Sequence, residues 1–154
     1  MRLTDLSPQF FRVEVKREMG KFLKSGTDPF AFQKPGFTGW KEEDFEEREH
    51  DQIYLPHVDS LGEADGITFL NPREFVANNG PVGTSSVAVY FSGRPANLVK
   101  GLNDDKDGKF IRWGVSGTGY HDLTITPSIF VNPDRTDHPS SWHGFVTNGE
   151  VTGA

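Results

Sequence analysis

The sequence predicts a mainly β fold of the α+β kind: a compact small β-sheet domain of short strands with one short helix, preceded by an irregular N-terminal arm. Three observations predict it. First, 17 Gly and 10 Pro are spread along the 154 residues, a density that suits short strands joined by turns. Second, apolar or alternating runs recur at strand length, about four to eight residues, and none is sustained at the helical period. Third, Asn148-Gly149 stands between two such runs, the strongest short signal for a type I′ hairpin. Thirteen Phe and three Trp supply core area that the modest aliphatic content does not.

Each element follows in chain order. Phe11–Lys16 (FRVEVK) alternates strictly and reads as a strand, and Lys16–Lys24 follows as a short amphipathic segment on Met19, Phe22 and Leu23. Residues 25–56 keep no period, yet they hold Phe30, Phe32, Phe37 and Trp40 between Pro29, Pro35 and Pro56. That is too aromatic for a disordered linker and too irregular for a regular element. It reads as an extended arm that buries its rings against something else. Inside it, residues 41–51 (KEEDFEEREHD) carry seven acids and two bases, most of the net charge of −6. Phe45 is the only apolar residue there, so a helix would have one anchor and no apolar stripe. A solvated segment and a docking surface for a basic partner are its two readings. The arm is therefore placed at 1–56 and the β-rich domain at 57–154.

In that domain Gly66–Leu70 is a short strand entering a turn. Asn71-Pro72-Arg73-Glu74 has the form of a helix start, with Asn as N-cap, Pro at the first helical position and Glu placed to reach back to the cap amide. Phe75 and Val76 give the helix a buried side, and Asn78-Asn79-Gly80 ends it. Ser86–Phe91 (SVAVYF) is apolar nearly throughout, which predicts a central strand. Phe110–Val115, Asp122–Thr126 and Ser128–Val131 follow as strands, and Gly144–Thr152 closes the chain as a hairpin.

Composition excludes several chemistries. Without cysteine there is no disulfide framework, thiolate nucleophile, Cys-ligated zinc or iron–sulfur site. No apolar run approaches about 18 residues and the Met1–Leu6 start has no signal-peptide core, so the expectation is a soluble chain without a membrane partner, not secreted through a signal peptide. The acidic balance argues against nucleic acid as a partner.

Three constellations remain. Asn103, Asp105 and Asp107 before Gly108 have the spacing that opens a calcium loop, but Gly114 stands where a bidentate Glu should close it. A hairpin tip is the leading reading there and a weak calcium site the other. His121, His143 and Asp122 could form a two-His, one-carboxylate metal site if their strands pair, although adjacent strand residues face opposite ways. The same residues could serve a small hydrolase, with His143 or His121 as general base and Asp122 as orienter. None of Ser85, Ser86, Ser116 and Ser128 lies in a nucleophile elbow. The Gly114–Gly119 run lacks the lysine and the helix of a phosphate loop.

Several motifs recur in one order between Val58 and Thr152, about 60% of the chain: Ala64–Leu70, Asn79–Gly83, Phe91–Arg94, Trp113 with Ser116–Gly119, Asp122–Thr124, Pro127–Ile129 and Trp142–Val151. In these the chain resembles a domain-of-unknown-function family common in phages and prophages, the six-five-two-seven group. The resemblance implies a Cys/His metal constellation that this chain has replaced. Asn71-Pro-Arg-Glu74 stands for a Cys-Pro-x-Cys knuckle, Ser85 for a His, and Ser140-Ser141 for a Cys before the Trp-His pair, leaving only His143. A metal-free chain with no cofactor is therefore expected, with the Asn71 cap substituting locally for the knuckle. The resulting expectation is a non-enzymatic structural or interaction protein of a phage-like element, a capsid-associated virion accessory. It would act in the virion or host cytoplasm and meet other copies of itself or other virion proteins through Phe30, Phe32, Phe37, Trp40 and Phe45.

Overall fold

The computed structural model describes all 154 residues. Strands take 40% of the chain and helical turns 17%, so the fold is mainly β, as predicted. In chain order the strands are β1 (Gln9–Phe11), β2 (Glu14–Leu23), β3 (Phe45–Tyr54), β4 (His57–Val58), β5 (Gly66–Leu70), β6 (Ser86–Tyr90), β7 (Gly114–Ser116), β8 (Thr124–Val131), β9 (Trp142–Thr147) and β10 (Glu150–Gly153). The one α-helix, α1 (Pro72–Ala77), follows β5. No helix is long and apolar enough to cross a membrane. The chain divides into two units: Met1–Glu14 together with Leu55–Ala154, and Val15–Tyr54.

The larger unit holds two four-stranded antiparallel sheets, ordered β4-β1-β5-β6 and β10-β9-β8-β7. Both feed one buried cluster. Phe10, Ile67, Phe69, Val87 and Val89 enter from the first sheet, and Ile125, Ile129, Trp142, Val146 and Val151 from the second. Phe69 meets Trp142 edge-on, with ring centroids 6.1 Å apart. Each such side chain contributes about 1.5–3 kcal/mol by leaving water, which makes this cluster the main source of stability. β9 shows the pattern cleanly: Trp142, Gly144 and Val146 face in while His143, Phe145 and Thr147 face out. Several positions have room only for glycine, Gly144 against the Thr152 carbonyl among them. A Cβ on Gly66 would lie 2.2 Å from the Phe11 ring, and one on Gly149 would lie 2.1 Å from the His121 carbonyl oxygen. Asn148 and Gly149 both take positive φ (48° and 76°), the I′ turn that the sequence predicts between β9 and β10.

The smaller unit is a two-stranded ribbon of β2 and β3. The strands run antiparallel: Lys16 lies over Tyr54 at one end, while the Lys24 amide donates to the Asp44 carbonyl at the other. Arg17 on β2 holds Glu49 and Asp51 on β3, and the Tyr54 hydroxyl donates to Glu18. No residue of Val15–Tyr54 is buried.

Several expectations are corrected. The division does not fall between residues 56 and 57, because Phe10 and Phe11 are almost fully buried and β1 lies between β4 and β5. The first fourteen residues therefore belong with the domain. The strand expected over Phe11–Lys16 breaks after Phe11, where the Arg12 amide donates to the Pro56 carbonyl and the Val13 amide to the Asp65 carboxylate. Lys16–Leu23 lies in β2 and Phe45–Asp51 of the acidic block in β3, after a 3-10 turn at Glu42–Asp44, with cross-strand charge pairs where apolar periodicity is lacking. β6 is an edge strand, and its outward residues Ser86 and Ala88 are exposed. Asp122–Thr126 and Ser128–Val131 merge into β8, with a register shift between Ile125 and Ile129. Of Phe110–Val115 only the last two residues join a strand. In α1 the buried residues are Pro72 and Glu74; Val76 is exposed and Phe75 packs against the core only in part.

Candidate functional site

Asp122 is committed to the turn before β8. Its carboxylate accepts from the Thr118 amide, the Thr118 hydroxyl and the Gly119 amide, at 2.8, 2.7 and 2.9 Å. Those hydrogen bonds, the Thr118 amide first, hold its pKa down to about 2. His121 is exposed beside it, with Nε2 4.0 Å from the nearer carboxylate oxygen, beyond hydrogen-bond reach. The chain thus bends at this pair, but the bend serves the turn, and Asp122 orients no imidazole.

His143 lies elsewhere, on the outward face of β9. Its ring stacks flat on Phe130 at 4.4 Å, and Nε2 shares a hydrogen bond with the Ser128 hydroxyl at 3.0 Å. The cleft beside it, about 290 Å³, contains Arg73, Thr136 and Ser141 but no carboxylate side chain. A larger groove of about 540 Å³ runs between the outer edge of β6 and the Ile129–Val131 half of β8, over Trp113 and Tyr90. None of its lining residues is His, Asp, Glu, Lys or Arg. No three His, Asp or Glu side chains converge with metal-ligand geometry, so His121, His143 and Asp122 are not brought together.

The loop at Asn103–Asp107 is a hairpin tip. Asp105 turns inward to accept from the amides of Asp107 and Lys109 at 2.8 and 2.9 Å, and Asp104 bridges to Phe110 across the loop. Arg112 secures this region in a way the sequence reading missed. Its Nε and one terminal nitrogen donate to the Asn97 carbonyl, and the other terminal nitrogen donates to the carbonyls of Leu102 and Ile111. Burial lowers its pKa, which nearby Asp104 opposes. A single Arg within the apolar run FIRWGV was the available signal.

A partly buried polar network starts from the α1 cap. Asn71, fully buried, accepts from the amides of Arg73 and Glu74 and donates to the Ser140 carbonyl at 2.9 Å. Glu74 does not reach back to the cap. It accepts from the Ser85 hydroxyl at 2.6 Å and the Ser85 amide at 3.2 Å. Arg73 donates to the carbonyls of Thr136 and Ser141. Asn71, Glu74, Ser85 and Ser140 are thus tied together by hydrogen bonds among themselves.

The predicted docking aromatics all fall in the ribbon unit. Phe30 and Phe32 are 62% and 54% exposed, and Phe37 and Trp40 both 36%. Their expected burial is not met within the chain. Phe37, Trp40 and Phe45 instead touch edge to edge, at 5.1 and 6.3 Å, with the Lys21 ammonium over Phe45. Local polar contacts hold the loop: Asp28 accepts from the Phe30 amide and pairs with Lys34, both at 2.9 Å. This row of rings is the best candidate for a functional surface. No family model, curated protein or solved structure matches the chain.

Proposed function

We propose that this chain is a non-enzymatic structural or interaction protein of a phage-like element, a capsid-associated virion accessory that docks through its Val15–Tyr54 unit. One observation carries the reading: a ribbon with no buried residue presents Phe30, Phe32, Phe37 and Trp40 to solvent. A lone two-stranded hairpin is marginal in water, and each ring, already partly covered, gains about 0.5–2 kcal/mol when a partner covers the rest. A protein partner, another copy of the chain or another virion protein, supplies that cover. The phage-like setting rests on the motif order between Val58 and Thr152. The absence of any histidine or carboxylate in the larger groove and the commitment of Asp122 to its turn favour binding over catalysis.

The test is to recover phage-like particles from cells carrying tagged chain. Native chain should be retained on them in a fixed ratio to capsid protein, and Phe30→Ser/Phe32→Ser/Trp40→Ser should be lost from them while keeping its far-UV spectrum. Native chain missing from the particles, or a variant retained equally well, would overturn the reading. A second reading, a small hydrolase with His143 as base, is favoured by the Ser128–His143 hydrogen bond. Covalent labelling of Ser128 by an alkyl fluorophosphonate, abolished in His143→Ala, would support it; no labelling would end it.

A further inference from the structure

We propose that the partner of the ribbon is a second copy of this chain, joined head to tail by pairing the free edge of β2 in one copy with the free edge of β3 in the next. This rests on the docking reading above and names its partner. β2 and β3 hydrogen-bond only to each other, so each has one paired edge and one open edge. Both strands are 10 residues long and free of proline. Long open edges of that kind are templates for strand addition.

Charge decides which edges meet. β2 carries Lys16, Arg17 and Lys21 against Glu14 and Glu18, whereas β3 carries Glu46, Glu47, Glu49 and Asp51 against Arg48. Within the ribbon Arg17 already holds Glu49 and Asp51. That leaves Lys16 and Lys21 without a carboxylate partner on β2, and Glu46 and Glu47 without a basic partner on β3; all four are exposed. A symmetric β3–β3 contact would oppose acid to acid, and a β2–β2 contact would oppose base to base. Only β2 against β3 places the unpaired lysines near the unpaired glutamates, and like charges directly opposite are destabilising. The contact is therefore heterologous. Each added copy leaves one β2 edge and one β3 edge open, which gives a ring if the rotation closes and a filament otherwise.

Sedimentation velocity on the full chain tests this, with circular dichroism to verify that each variant keeps its strands. Native chain should associate beyond a dimer at about 0.01 M salt and dissociate at about 1 M, as the screening length falls from about 30 Å to about 3 Å. Lys16→Glu/Lys21→Glu and Glu46→Lys/Glu47→Lys reverse only the charges that make no ion pair inside the ribbon. Each should be monomeric alone, and an equimolar mixture should associate again, because the reversed edges complement each other. Native chain that is monomeric at low salt, that stops at a closed dimer, or whose association is indifferent to salt overturns the proposal. So does a mixture that stays monomeric while both variants remain folded. If native chain is monomeric yet is retained on particles through its aromatic residues, only the self-pairing fails; if it is also absent from particles, the docking reading fails with it.

Discussion

Asp122 spends its charge on three hydrogen bonds to Thr118 and Gly119, and the consequence is a pH signature. Its folded pKa lies near 2, below the ordinary value of about 3.9. A depressed carboxylate contributes stability that is fully present above its unfolded pKa and is lost as pH falls through its folded pKa. Asp122→Ala should therefore unfold at lower temperature than native chain at about pH 6, and the gap should close between about pH 4 and about pH 2. Melting curves across that range check it; a gap that persists at about pH 2 refutes the assignment. Asn71 offers a test free of pH. Alanine there strands two helix amides and leaves the Ser140 carbonyl with Asn132 as its one remaining donor, so the loss should be about 1–3 kcal/mol in urea unfolding. A cost below about 0.5 kcal/mol, the range of neutral surface changes, would show that the network is dispensable. The cap itself was legible, since Asn-Pro-x-Glu states it locally. The destination of Glu74 was not, because Ser85 lies eleven residues away and only the β5–β6 pairing brings it near.

At the scale of elements, Arg112 acts for a whole segment. Its guanidinium gathers the carbonyls of Asn97, Leu102 and Ile111, and Asn97 in turn donates to the carbonyls of Asp65 and Phe91. The connection from β6 to β7 is thereby anchored to the first sheet with little apolar burial of its own. Arg112→Ala should cost about 2–3 kcal/mol, the scale of lost hydrogen bonds to a charged group, and should speed hydrogen exchange over residues 94–112. Arg112→Lys should restore only part, since an ammonium lacks the planar fork. Exchange unchanged in the alanine variant would remove Arg112 from this role. The strand content was legible from turn residues and apolar runs, and the β9–β10 hairpin from Asn-Gly. The placement of β6 was not. An apolar run predicts burial on both faces, but Ser86 and Ala88 are outward residues whose exposure an apolar count does not reveal. The ribbon was hidden for a different reason. Its strands are held by Arg17, Glu49, Asp51 and Glu18 rather than by a buried face, so periodicity carries no trace of them. The docking aromatics were visible as an excess of rings among prolines; that they remain exposed depends on the unit having no core, which composition does not state.

For the whole molecule, the two units should differ in how they open. Every buried residue lies in Met1–Glu14 or Leu55–Ala154, and that unit holds the single cluster shared by both sheets. Amides of its core strands β5, β8 and β9 should exchange only with global unfolding, while those of β2 and β3 should exchange through a much smaller local opening. The ends of the ribbon leave the domain side by side, because the Arg12 amide donates to the Pro56 carbonyl at 2.9 Å. Replacing Val15–Tyr54 by a short Gly/Ser linker therefore closes the same gap with fewer residues, and loop-closure entropy changes by only about 0.6 kcal/mol for each halving of length. The shortened chain should keep a single cooperative unfolding transition, with stability within about 1–2 kcal/mol of the full chain, and should no longer be retained on particles. A molten remainder, without a cooperative transition, would mean that the domain needs the ribbon for its fold. Cooperative unfolding with retention on particles intact would move the docking surface out of the ribbon and onto the two sheets, where the outward Phe130 and Phe145 are the next exposed rings.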